Sequence, residues 1–163
     1  MLVTINTDAC FHTSLKIGGY AFWAICNDFK ITKSGVFRKK CTTSDDAEAK
    51  CIINALSIVL KSHKGITKII INTDSLNAIA YLKGDKKHVS KYNLSTSKRI
   101  QFNTLFLELR RSHKKPLEIE FRHVKAHSGV DDKRSFVNEW CDTEAKKQMW
   151  SKINNSKHLS NGK

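Results

Sequence analysis

The sequence predicts an α/β fold, a mixed β-sheet with helices on its faces. Three observations predict it. Strand-like segments come first and then alternate with helical ones, in the order β-β-β-α-β-α-α-β-α. The hydrophobic pattern switches from strand-like to helical near residue 44. Punctuation is sparse, with one proline and seven glycines in 163 residues, which suits a compact fold with few linkers. A chain of this length supports one domain whose core needs no staples. The domain is expected over 1–153. Residues 154–163, mostly Asn, Ser, Lys and Gly, read as a disordered basic tail.

Residues 2–9 form the first predicted strand. Residues 19–27 and about 29–39 form the next two, and Asn27-Asp28 between them is a turn signal, so 19–39 is a predicted hairpin. Over 44–63, Cys51, Ile52, Ala55, Leu56, Val59 and Leu60 share one helical face, with Ser44 or Asp45 as cap and Gly65 beyond the end. Residues 66–73 are rich in isoleucine and read as a buried strand. Ser75 to Leu82 is a short helix stopped by Gly84. Residues 98–113 form an amphipathic helix with Leu105 and Leu109 inside. Leu117 to Val124 alternates as a strand, and 134–150 is the last helix, carrying Phe136, Trp140 and Met149.

Charge narrows the class of partner. Lys and Arg number 29 against 15 Asp and Glu, a net +14 that points to a polyanion, nucleic acid before an acidic membrane. No apolar run spans a bilayer, and the start of the chain is not a secretory signal. The five cysteines (Cys10, Cys26, Cys41, Cys51 and Cys141) are widely spaced and odd in number. They read as reduced, mostly core-filling thiols, with a cytoplasmic location expected.

A basic chain must explain where its acids sit. The tetrapeptide Ile-Asn-Thr-Asp occurs twice, ending at Asp8 and at Asp74, each time at the end of a predicted strand. If those strands are parallel neighbours, about 4.8 Å apart, the two carboxylates stand side by side at the carboxyl edge of the sheet. Glu48 shares a helical face with Ile52, Ala55 and Val59, so it points toward the sheet. Asp142 lines up with Asn138, Ala145 and Met149 on the last helix. Converging carboxylates either take up protons or hold cations. An all-oxygen set suits Mg²⁺ or Mn²⁺ rather than zinc, and two such ions are an arrangement for phosphodiester hydrolysis. Taken singly, each acid has a plainer reading: Asp74 as a helix cap, Asp8 as a strand end, Glu48 on an exposed edge, Asp142 paired with a lysine. The duplicated strand ending argues for the set.

At these residues the sequence resembles the type 1 ribonuclease H family. The likeness runs from about residue 2 to 150, through Thr7-Asp8-Ala9 with Gly18-Gly19-Tyr20-Ala21, the segment Thr43 to Glu48, and Thr73-Asp74-Ser75. It closes with His123-Val-Lys-Ala-His127-Ser-Gly129 and Asn138 to Asp142. The resemblance implies a five-stranded mixed sheet with its first three strands antiparallel. It implies an endonuclease that cuts the RNA strand of RNA–DNA hybrids with two Mg²⁺ or Mn²⁺ ions, leaving 5′-phosphate and 3′-hydroxyl ends. Asp8, Glu48, Asp74 and Asp142 would hold the ions, and His127 would assist proton movement or product release. A zinc site from the His123–His127 pair is disfavoured, since no cysteine or further histidine lies close by.

The chain departs from the family in places. Cys10 stands where the family usually has Ser, and a thiol is the poorer donor. Ser44 and Asp45 stand where asparagines often touch the hybrid. Residues 84–115 hold nine Lys or Arg against two acids, which predicts a reduced basic handle with Lys86, Lys87 and Lys91 gripping phosphate and Tyr92 stacking. The plainer reading is a solvated loop. Ser75 and Asn138 complete the expected substrate contacts. A monomer without an obligatory protein partner is expected, and Met1 argues for an independent small protein. The alternatives are a non-catalytic nucleic-acid-binding module of the same fold and the RNase H domain of a reverse transcriptase.

Overall fold

The computed structural model describes residues 1–85, 95–125 and 133–161. The elements follow the predicted order: β1 (Leu2–His12), β2 (Ile17–Ile25), β3 (Lys30–Val36), α1 (Ser44–Ser62), β4 (Lys68–Thr73), α2 (Leu76–Lys83), α3 (Thr96–Ser112), β5 (Glu118–His123) and α4 (Lys133–Asn161). They build one five-stranded mixed sheet in the order β3-β2-β1-β4-β5. The first three strands are antiparallel neighbours, while β1–β4 and β4–β5 are parallel.

Side-chain alternation divides the two faces. Val3, Ile5, Phe22, Ala24, Ile69 and Ile71 are fully buried on one face. Against them lies the apolar stripe of α1, with Ile52, Ala55, Leu56 and Val59 fully buried. The other face is covered by α4, where Cys141 and Ala145 pack on Ala21. Gly19 allows this approach, because a Cβ there would collide with the Ala145 carbonyl. The interior is the main stabilising term, at roughly 25 cal/mol for each Å² of apolar surface removed from water.

Several local expectations are corrected. The cap of α1 is Thr43, whose hydroxyl accepts from the Asp46 N–H at 3.1 Å, rather than Ser44 or Asp45. The cap of α2 is Ser75, whose hydroxyl accepts from the Ala78 N–H at 3.0 Å. Gly84 closes that helix in the left-handed conformation, at φ 69°. On α3, Leu105 is 37% exposed, and Phe102 and Phe106 fill the inner stripe instead. At about 100° per residue, Phe102, Phe106 and Leu109 fall within about 60° of one another, and Leu105 lies at the edge of that arc, about 100° from Phe106. Helix α4 runs on through 154–161, where the sequence predicts a disordered tail. Ile153, 1% exposed, anchors the helix beyond its predicted end at 150. Among the described residues, no helix is long and apolar enough to cross a membrane.

Candidate active site

The parallel ladder between β1 and β4 pairs Leu2–Asn6 with Lys68–Asn72. The two copies of Ile-Asn-Thr-Asp therefore lie in register, and Asp8 and Asp74 project past the last shared rung. Asp74 follows the end of β4, and the His123 ring Nε2–H of β5 donates to its carbonyl at 3.1 Å. Because Ser75 caps α2, the capping reading of Asp74 falls away. Glu48 enters from the first turns of α1 and is 7% exposed. One carboxylate oxygen from each of Asp8, Glu48 and Asp74 lies within 4.8 Å of the other two.

The Ala9 N–H binds two of these groups at once. It donates to Asp8 Oδ1 at 3.0 Å and to Glu48 Oε1 at 3.2 Å. Glu48 Oε2 is buried without a hydrogen-bond partner. Burial, then the Asp74 charge, raises the Asp8 carboxyl from 3.8 to about 7, and Asp142 adds to the rise. Burial and then the charges of Asp8 and Asp74 push Glu48 well above the ordinary carboxylate range. A buried, mutually repelling carboxylate set with an unpartnered oxygen has the chemistry of a hard-cation site. The donor set thus fits Mg²⁺ or Mn²⁺.

Asp142 lies beside Asp8 on α4 but outside this group of three. Its Oδ2 accepts from Lys146 Nζ at 3.0 Å, one helical turn on. That pair is legible in the sequence from its i, i+4 spacing. Cys10 is half-buried, and burial raises its thiol to about 11, so it stays neutral near pH 7. Ser44 is exposed at the start of α1. Asp45 Oδ2 accepts from Asn77 Nδ2 at 3.0 Å, linking α1 to α2. Ser75 spends its hydroxyl on the α2 cap, and Asn138 sits one turn before Asp142. His127, Lys86, Lys87, Lys91 and Tyr92 lie outside the described residues.

One neighbour of the site escapes the sequence reading. Asp46 is fully buried, two residues before Glu48, and its Oδ2 accepts from the Thr42 N–H at 2.8 Å. The same oxygen pairs with Lys98 of α3 at 3.1 Å and with Lys50 at 3.3 Å. Burial alone would raise this carboxyl, but the Thr42 N–H and the two ammonium groups outweigh it and hold it below its usual value. Only the Lys50 spacing was visible in the sequence. The Lys98 contact is tertiary.

A family profile for RNase H matches residues 2–150. The chain belongs to the RNase H family. A search of curated proteins returns no significant match. Among solved structures, the N-terminal RNase H domain of Rv2228c from Mycobacterium tuberculosis superposes with a TM-score of 0.70 at 14% identity, covering 95% of this chain and 98% of that one. RNase H1 of the halophilic archaeon Halobacterium salinarum NRC-1 gives 0.65 at 16% identity, covering 93% and 99%. LC11-RNase H1, solved in complex with an RNA/DNA hybrid, gives 0.69 at 12% identity, again covering 93% and 99%. At such identities these likenesses carry the fold of this RNase H family member, and its chemistry rests on its own residues.

Proposed function

We propose that this protein is an endoribonuclease that hydrolyses the RNA strand of RNA–DNA hybrids, leaving 5′-phosphate and 3′-hydroxyl ends. The single observation that carries the reading is the meeting of Asp8, Glu48 and Asp74 within 4.8 Å in a chain of this family. Two divalent ions, Mg²⁺ or Mn²⁺, would be held by these three with Asp142, and would supply activation of water and stabilisation of the leaving oxygen.

The chain's own residues set the conditions. Asp8 feels the charges of both Asp74 and Asp142, and would be a ligand for the divalent ions. Glu48 is held by the Ala9 N–H, which keeps one oxygen oriented and leaves the other for a cation. Asp142 must exchange Lys146 for an ion. His127 is assigned proton movement at the leaving or attacking oxygen. Cys10, Ser44, Asp45, Ser75 and Asn138 are assigned to substrate contact, Asp45 to a ribose hydroxyl rather than to a phosphate its charge would repel, and Ser75 through whatever its cap leaves free. Lys86, Lys87, Lys91 and Tyr92 are assigned to grip on the DNA strand. Such contacts hold the backbone without choosing sequence.

The test is a hybrid duplex labelled on the RNA strand, incubated with Mg²⁺. The reading predicts cleavage of RNA alone, lost in Asp74→Asn. Absence of cleavage, cleavage that survives the substitution, or equal cutting of duplex DNA would contradict it.

A further inference from the structure

The duplicated tetrapeptide has a second pair of residues that the carboxylate chemistry leaves unexplained. Asn6 and Asn72 are 5% and 3% exposed, and the Asn72 amide donates to Asn6 Oδ1 at 3.0 Å. They are also the last residues paired in the β1–β4 ladder. Beyond them the strands part company. β1 stays with β2 as far as His12, and β4 stays with β5 through Thr73. Asp8 and Asp74 therefore stand on the two arms of a fork whose crotch is the Asn6–Asn72 rung. By strand alternation Asn6 lies on the same face as Asp8, about 7 Å away, and Asp74 follows Asn72 by two residues, just past the end of β4.

The third arm meets the same rung. The Cys141 thiol of α4 donates to the Asn6 carbonyl at 3.6 Å, one residue before Asp142. Like charges on the arms push them apart, and nothing in the ladder beyond Asn6 and Asn72 joins β1 to β4. We propose that the buried Asn6–Asn72 side-chain hydrogen bond is a positioning device: it clamps the fork so that Asp8 and Asp74 stay at cation-bridging separation. Neither asparagine touches the reacting atoms. The pair acts through the aspartates, as outer partners do for metal ligands generally. This inference rests on the metal-site reading proposed above.

The test is Mn²⁺ binding to the full chain by calorimetry, without substrate, for wild type and for Asn6→Val/Asn72→Val. Replacing both partners by apolar strand-formers leaves no orphaned amide, so the double variant is expected to melt within a few degrees of wild type. Its Mn²⁺ affinity is expected to fall about 10-fold, with kcat on a hybrid reduced and KM nearly unchanged. Should the double variant fail to fold, Asn6→Ala carries the same test, with a similar loss expected. A folded variant that binds Mn²⁺ as tightly as wild type overturns the clamp while leaving the metal site standing. A wild-type chain that binds no Mn²⁺ at millimolar concentration overturns both.

Discussion

Asp8 is the residue on which pH acts most directly. Its carboxyl, raised from 3.8 to about 7, binds a proton more tightly folded than unfolded. The stability this proton gives is complete below the unfolded value and is lost as pH rises through about 7. In EDTA at pH 8, Asp8→Asn is therefore expected to melt higher than wild type, by on the order of 5 °C, with the gap closing near pH 4. Thermal melts across that range check it. A cation must displace protons from Asp8 and Glu48 alike, so Mn²⁺ affinity is expected to rise with pH through about 7, which calorimetry reads. On activity, Glu48→Gln is expected to lower the cleavage rate by more than about 100-fold with little change in hybrid affinity. The acids of this site were legible because the sequence repeats Ile-Asn-Thr-Asp and heads an apolar stripe with Glu48. The asparagines in the same repeat give no such signal, since an amide carries no charge. The burial that makes their hydrogen bond matter is a property of the folded sheet.

At the scale of the element, α1 delivers Glu48 and is set at its start by two devices. One is the Thr43 cap and the other is buried Asp46, which draws in Lys50 and Lys98. Thr43→Ala is expected to cost about 1 kcal/mol. That is a fall of roughly 2–4 °C in Tm for a domain of this size, measured by calorimetry. Asp46→Ala leaves two lysines without their buried partner and is expected to cost more. Element types and order were readable because strand and helix periods differ. The cap of α1 was not, because Thr43, Ser44, Asp45 and Asp46 all qualify by type and only the backbone turn selects among them. The end of α4 was missed for a related reason. Its last turns are polar and propagate from the anchored Ile153 rather than from a stripe of their own.

At the scale of the molecule, the net charge is +14 while the candidate site is of opposite sign. A basic surface would draw phosphates, while the carboxylates would need cations before a phosphate could approach them. Hybrid affinity is expected to fall linearly in log Kobs against log salt, by roughly 10³-fold or more between 50 and 200 mM if about six phosphates are contacted. Fluorescence anisotropy across that range tests this, and a flat response would place the basic residues away from the substrate. The net charge and the α/β order were open to view in the sequence. The sheet order β3-β2-β1-β4-β5, which brings residues 8 and 74 together, needed the parallel pairing of β1 with β4 that spacing alone does not impose.

Asp8, Glu48 and Asp74 are expected to form one cation site. The most direct measurement is anomalous scattering from a crystal of this protein soaked in Mn²⁺. A manganese peak bonded to oxygens of all three carboxylates is the predicted result. Manganese bound elsewhere, with these three left without an ion at saturating concentration, would contradict it.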